Sequence, residues 1–211
     1  RLRSAVPLSI EASKLADAGR LLASDPSPPM RAAALRLLAT LGGLEVLPAL
    51  TDALRDASIA VRRETALRLR SMDQTIAAAP ELSVCQRAVD ELARSLRDDP
   101  DSDVRTYAAE DLGYFYNPAA QDVLRAALAN DESDDVRWAS AVAIGRSNDV
   151  NAVATLLSVL DHEESPSIRK AALLGIGRQG ADVAQRDADL ARHAGEVLGR
   201  HATPTATSAR E

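Results

Sequence analysis

Apolar residues recur along this chain at helical spacing, in helix-length blocks broken by polar turns. Leu15, Ala18 and Leu22 share one face of the first block, and Val46, Leu47, Leu50 and Leu54 one face of the third. Cys85, Val89, Leu92 and Leu96 do the same in the fifth. Recurrence at three and four residues marks an amphipathic helix, whereas strict alternation would mark a strand. The spacing predicts helices over 10–23, 30–41, 45–55, 59–72, 84–96, 103–116, 119–130, 134–147, 150–160, 167–179 and 187–201. Asp25-Pro26-Ser27-Pro28-Pro29 divides the first two, because proline breaks a helix interior but suits its first turn. Gly42-Gly43 is expected to cap the second helix, and Asn117-Pro118 to end the sixth. Residues 73–83 (DQTIAAAPELS) hold Pro80 and no clear stripe, which predicts an inserted, exposed loop.

The even-numbered helices open on one shared phrase, clearest in DDVRWASAVAIG at 134–145. Its arginine recurs as Arg31, Arg62, Arg105, Arg137 and Arg169, at separations of 31, 43, 32 and 32 residues. A period of this size is the signature of a repeat array. Three and four residues past the arginine stand small or apolar residues such as Ala108 and Ala109, or Ser140 and Ala141. Eight past it comes Gly113, Gly145 or Gly177, with Arg70 breaking the pattern in the second copy. Small residues on one stripe let helices approach closely, and only stacked neighbours bury that stripe. The expected fold is therefore all-α: an α-solenoid of about five helical hairpins plus a C-terminal capping helix. It should form one unit over residues 1–201, followed by a polar tail, 202–211, of disorder-prone composition. Asp103, Asp134 and Ser167 sit where a side-chain oxygen can cap a second helix, at its positive end. The arginine ladder is expected to pair with such acids, within a repeat and across to the next; an anion site is the other reading of the same arginines.

Composition narrows this picture. The chain is 46% hydrophobic yet only 2% aromatic, so the core must be built from Ala, Leu and Val, which suits helices more than a sheet. A net charge of −6 makes nucleic acid an unfavourable partner. One cysteine, Cys85, excludes an intrachain disulfide, and its place on an apolar stripe fits a buried structural thiol. No run approaches the ~18 apolar residues of a membrane span, and no signal layout is present, so a cytoplasmic address is expected. The chain opens RLRSAVPLSI without methionine, which reads as an excised or trimmed product.

The pattern D-x-D-x-x-V-R-x-x-A-x-x-x-L-G resembles the HEAT repeat, in the subclass named for phycobilin lyases. The resemblance covers 25–179 and is sharpest at 101–113 and 131–145. It implies that the second helices line a concave surface on which partners bind. It also raises enzymatic precedents. Deoxyhypusine hydroxylase-like members bind iron through His-Glu pairs just after the Val-Arg, and the corresponding pairs here, such as Thr106-Tyr107 and Trp138-Ala139, contain no histidine. The one His-Glu pair, His162-Glu163, falls in a turn and is expected to be solvated. Asp189, His193 and Glu196 share a face of the last helix but make a weak metal set, better read as a charged solvent face. No Gly-rich phosphate loop or nucleophile triad appears, so no catalytic residue, metal or cofactor is assigned.

The reading this supports is a non-catalytic scaffold that binds a protein or peptide on its concave face. The alternative is an enzyme on that face, either a phycobilin lyase-like tetrapyrrole handler or an alkylpurine glycosylase-like nucleobase enzyme. All the aromatic residues lie between Tyr107 and Trp138. Val104, Ala108, Leu112 and Phe115 form an inward stripe, which makes Phe115 a core residue. Tyr107, Glu110, Asp111 and Tyr114, with Trp138, are placed on or near the concave surface, flanked by Arg63, Arg146 and Lys170. Aromatics beside arginine are the residue types that anchor interfaces. The competing reading is that these rings fill gaps in an alanine-rich core.

Overall fold

The computed structural model describes residues 8–41, 43–72, 83–115, 117–147, 149, 151–186, 192–197 and 199. Helices pair in chain order. Helix α1 (Leu8–Ser24) packs on α2 (Pro28–Leu41), and a 3-10 turn (Leu44–Val46) leads into α3 (Leu47–Ala53), which packs on α4 (Ile59–Arg70). There follow α5 (Ser83–Asp98) with α6 (Ser102–Leu112), α7 (Pro118–Asn130) with α8 (Asp134–Arg146), and α9 (Ala152–His162) with α10 (Pro166–Arg186). Residues 192–197 are again helical and bury Ala194 and Val197. The described residues contain no strand, and none of their helices is long and apolar enough to cross a membrane. The expected loop falls outside them except for Ser83, which opens α5; most of the expected last helix, and all of the tail, lie outside as well.

The second helices form one continuous row: α2 on α4, α4 on α6, α6 on α8 and α8 on α10. The first helices meet one another more sparsely. In a curved stack the tighter layer is the inner one, so α2, α4, α6, α8 and α10 make the concave side. Between the rows runs a core of aliphatic side chains, with Leu35, Leu50, Leu92, Leu124, Ile144 and Leu156 fully buried. Each such side chain contributes about 1.5–3 kcal/mol of hydrophobic stabilisation. Phe115 joins that core at 6% exposure, as its stripe predicts, and Cys85 is buried in it.

Local differences from the expected elements have local causes. The helix expected over 103–116 ends at Leu112, where Tyr114 and Phe115 donate back three residues, to the Asp111 and Leu112 carbonyls, in tightened turns. Helix α7 then starts cleanly, because Asn117 accepts from the Ala119 amide at 2.9 Å and Pro118 sits in the first turn. Helix α10 runs seven residues further than expected, to Arg186, and Gln179 donates to the Ser147 carbonyl at the end of α8. No described glycine is left-handed, and Gly43 leads the 3-10 turn rather than closing α2.

The repeat glycines serve close approach instead. A Cβ on Gly145 would stand 2.5 Å from the Gly175 Cα, and one on Gly113 would stand 2.8 Å from the Ala143 Cα. Gly177, which the register singled out, would meet nothing within 4 Å. Its neighbour Gly175 carries the contact.

Candidate partner-binding surface

The ladder arginines set the register of the stack. Each turns one guanidinium nitrogen onto the carbonyl of the acid that leads its own repeat, six residues earlier. Arg31 donates to Asp25 at 2.9 Å, Arg62 to Asp56 at 2.9 Å, Arg105 to Asp99 at 3.0 Å, Arg137 to Asp131 at 3.0 Å and Arg169 to Glu163 at 3.1 Å. The rest of the fork reaches the carboxylate leading the next repeat. Arg31 grips Asp56 at 2.8 and 2.7 Å, Arg62 grips Asp99 at 2.7 and 3.0 Å, and Arg105 grips Asp131 at 2.9 and 3.0 Å. Arg137 makes one such bond, to Glu163 at 3.2 Å.

Each of these carboxylates also accepts an amide two residues on, as Asp99 does from Asp101 at 3.0 Å and Glu163 from Ser165 at 2.9 Å. A single acid therefore shapes its own turn and latches the preceding repeat. The pairing acids are thus not the helix-start residues expected; only Arg137 adds a bond to Asp134, at 2.7 Å. Asp101, rather than Asp103, caps α6 by accepting from the Val104 amide. Glu163 is not a merely solvated turn residue but the last rung. Burial raises its carboxyl pKa, yet the Ser165 amide and Arg137 outweigh that and hold it below the usual range.

From the second repeat on, the inner face opens one and five residues past the ladder arginine. Those positions hold Arg63 and Leu67 on α4, Thr106 and Glu110 on α6, Trp138 and Val142 on α8, and Lys170 and Leu174 on α10. Of the expected site residues, Arg63 is exposed but engaged by Asp101, at 2.8 and 2.6 Å, and by Asp103 at 3.0 Å. Its guanidinium holds the Asp101 carboxyl below the usual range. Glu110 is half-buried and paired with Arg70. Asp111 is 1% exposed, six past Arg105, where the following repeats place the buried Ala143 and Gly175; it is no part of the open surface.

Tyr107 is half-buried against the core. The Arg146 guanidinium lies over the Tyr114 ring, 5.2 Å from its centroid, a cation–π contact between α8 and the turn after α6. Trp138 is 38% exposed and lines a cavity of about 390 Å³ between α8 and α10, together with Val142, Lys170, Leu174 and Arg178. The structure thus joins Tyr114 to Arg146 and Trp138 to Lys170, while Tyr107 turns inward. Val142, Leu174 and Arg178 share this cavity although residue type alone did not single them out; their fixed spacing from Arg137 and Arg169 was the available signal. Among the described residues no cluster of His, Cys, Asp and Glu is disposed to hold a metal.

A family model described as HEAT repeats matches residues 16–95 and 89–177. The chain belongs to the HEAT-repeat family. Comparison with curated protein sequences gives no match. Among solved structures this HEAT solenoid is similar to a designed armadillo repeat protein in complex with the peptide (KR)4. That pair shares 22% identity over 90% of this chain and 93% of the other, with a TM-score of 0.63. It is also similar to YibA of E. coli, at 20% identity over 92% and 71% of the two chains and a TM-score of 0.63. The complex of CpcE and CpcF of phycocyanin lyase from Nostoc sp. PCC7120 matches at 20% identity over 80% and 99%, with a TM-score of 0.54. At these identities the likeness is one of fold.

Proposed function

We propose that this HEAT solenoid is a non-catalytic protein- or peptide-binding module that receives its partner along the inner row of second helices. The observation that carries this reading is a set of exposed apolar side chains along that row. Leu67, Val142 and Leu174 each stand five residues past a ladder arginine, with Leu37 six past the first and Trp138 one past the fourth. Leu37, Leu67, Trp138 and Leu174 are 37–61% exposed. Surfaces that mix apolar side chains with arginine are of the kind interfaces are made from. The designed armadillo neighbour, itself in complex with a peptide, lends the reading support by analogy of fold alone.

Photo-cross-linking tests it. A photoreactive side chain at Leu67 or Leu174 should form protein adducts in a lysate of the source organism, and one at the exposed outer-row Ala129 should not. Equal adducts from all three positions, or none from the inner pair, would refute the proposal.

A further inference from the structure

Resting on that reading, we infer that the α8–α10 end of the inner face is a site for an acidic peptide, one that seats an apolar side chain between two carboxylates. The first observation concerns charge. Every arginine from Arg20 to Arg137 forms an ion pair. Beyond Arg137 the pattern thins: Arg146, Arg169 and Lys170 meet no carboxylate among the described side chains. Arg169 is spent on the carbonyls of Glu163 and Glu164, at 3.1 and 3.0 Å. Arg146 lies over the Tyr114 ring. Lys170 and Arg178 line the cavity beside Trp138. In a chain of net charge −6, two cations lining one cavity with no carboxylate in its wall mark where an anion belongs.

The second observation is the centre of the site. Trp138, Val142 and Leu174 are apolar, no acidic side chain lines the cavity, and Leu174 is 61% exposed. Gly145 and Gly175 bring the two helices into backbone contact beneath, which fixes the floor.

The dimensions select the occupant. Lys170, Leu174 and Arg178 are four residues apart on α10, so the two cations stand about 12 Å apart with the leucine between them. An extended chain spans about 13 Å over four residues, and its first, third and fifth side chains point the same way. An acid–x–apolar–x–acid segment therefore matches cation, apolar centre and cation in order. A nucleic acid strand fits less well: two cations neutralise few phosphates, and the aliphatic floor offers little to a base.

The test uses the full chain and labelled peptides followed by fluorescence polarisation. The probe is Glu-Ser-Phe-Ser-Glu; the controls are Lys-Ser-Phe-Ser-Lys, Glu-Ser-Ser-Ser-Glu and an oligothymidylate. The site predicts saturable binding of the probe, weakened by salt, with both control peptides bound at least about tenfold more weakly. The double variant Lys170→Glu/Arg178→Glu should lose about tenfold in affinity, and Leu174→Ser a similar factor, with melting temperatures unchanged because all three side chains are exposed. Equal binding of the lysine peptide, preference for the oligonucleotide, or unchanged affinity in both variants would overturn the inference. So would a mass that rises with protein concentration and falls on adding peptide, which would assign the site to a second copy. Protein adducts at Leu67 without probe binding would sink this site alone, whereas no adducts at Leu67 or Leu174 would sink the binding reading itself.

Discussion

Removing Asp99 tests whether the ladder holds the repeats in register. Asp99 is 5% exposed at the joint of α5 and α6, and it accepts both prongs of Arg62 as well as the Asp101 amide. Asp99→Ala leaves Arg62, itself 9% exposed, with only the carbonyls of Asp56 and Ala57. Breaking a buried pair while keeping one charge costs roughly 3–5 kcal/mol, and the orphaned turn amide adds about 1 kcal/mol. Against a total stability of about 5–15 kcal/mol, that is a third or more. Urea unfolding followed by circular dichroism should therefore show a large drop in midpoint. The double variant Arg62→Leu/Asp99→Leu separates the pair from its parts. With no charge left buried it should be more stable than Asp99→Ala, so the two losses should not add. The exposed Glu132, 3.4 Å from Arg105, is the control, and Glu132→Ala should stay within about 0.5 kcal/mol of the parent. An Asp99→Ala cost below about 1 kcal/mol, or strict additivity in the cycle, would refute the reasoning.

Three further outcomes follow from the same geometry. Gly145→Ala must push α8 from α10 and should cost about 1–3 kcal/mol, whereas Gly177→Ala, with open space around it, should be neutral or stabilising by up to about 1 kcal/mol; thermal melts of the two distinguish contact from mere conformational freedom. The Arg55 guanidinium, helped by Arg94, holds the Glu91 carboxyl down at about 2. Because its folded value lies below its unfolded one, this stabilisation is present above about pH 4.3 and fades as pH falls toward 2, so Glu91→Gln should lose less stability across that window in urea titrations. Tyr107→Ala should lower the melting temperature more than Trp138→Ala, since Tyr107 packs on the core and Trp138 is 38% exposed; a larger drop for Trp138 would reverse their roles.

How much of this was legible beforehand differs by level. The repeat, its helical hairpins and the inward stripe through Phe115 were readable because period and amphipathicity are properties of spacing along one chain. The arginine ladder was visible as a register, but its partners were not. Asp99 lies 37 residues from Arg62, and only stacking puts the acid of one turn beside the arginine of the repeat before it. The same holds for the glycines. Gly175 and Gly177 look alike in the chain, and the tilt of α8 against α10 decides which one touches.

At the inner face, sequence alone named Trp138, Lys170, Tyr114 and Arg146 from residue type, but placed Asp111 with them. A helix turns by about 100° per residue, so a one-position difference from Glu110 carries Asp111 from the open face into the packed one. Periodicity thus determined which elements form and which faces are apolar. Which charges are paired, which are left over, and which side chains share a cavity depend on distances between repeats, and only the packed array fixes those.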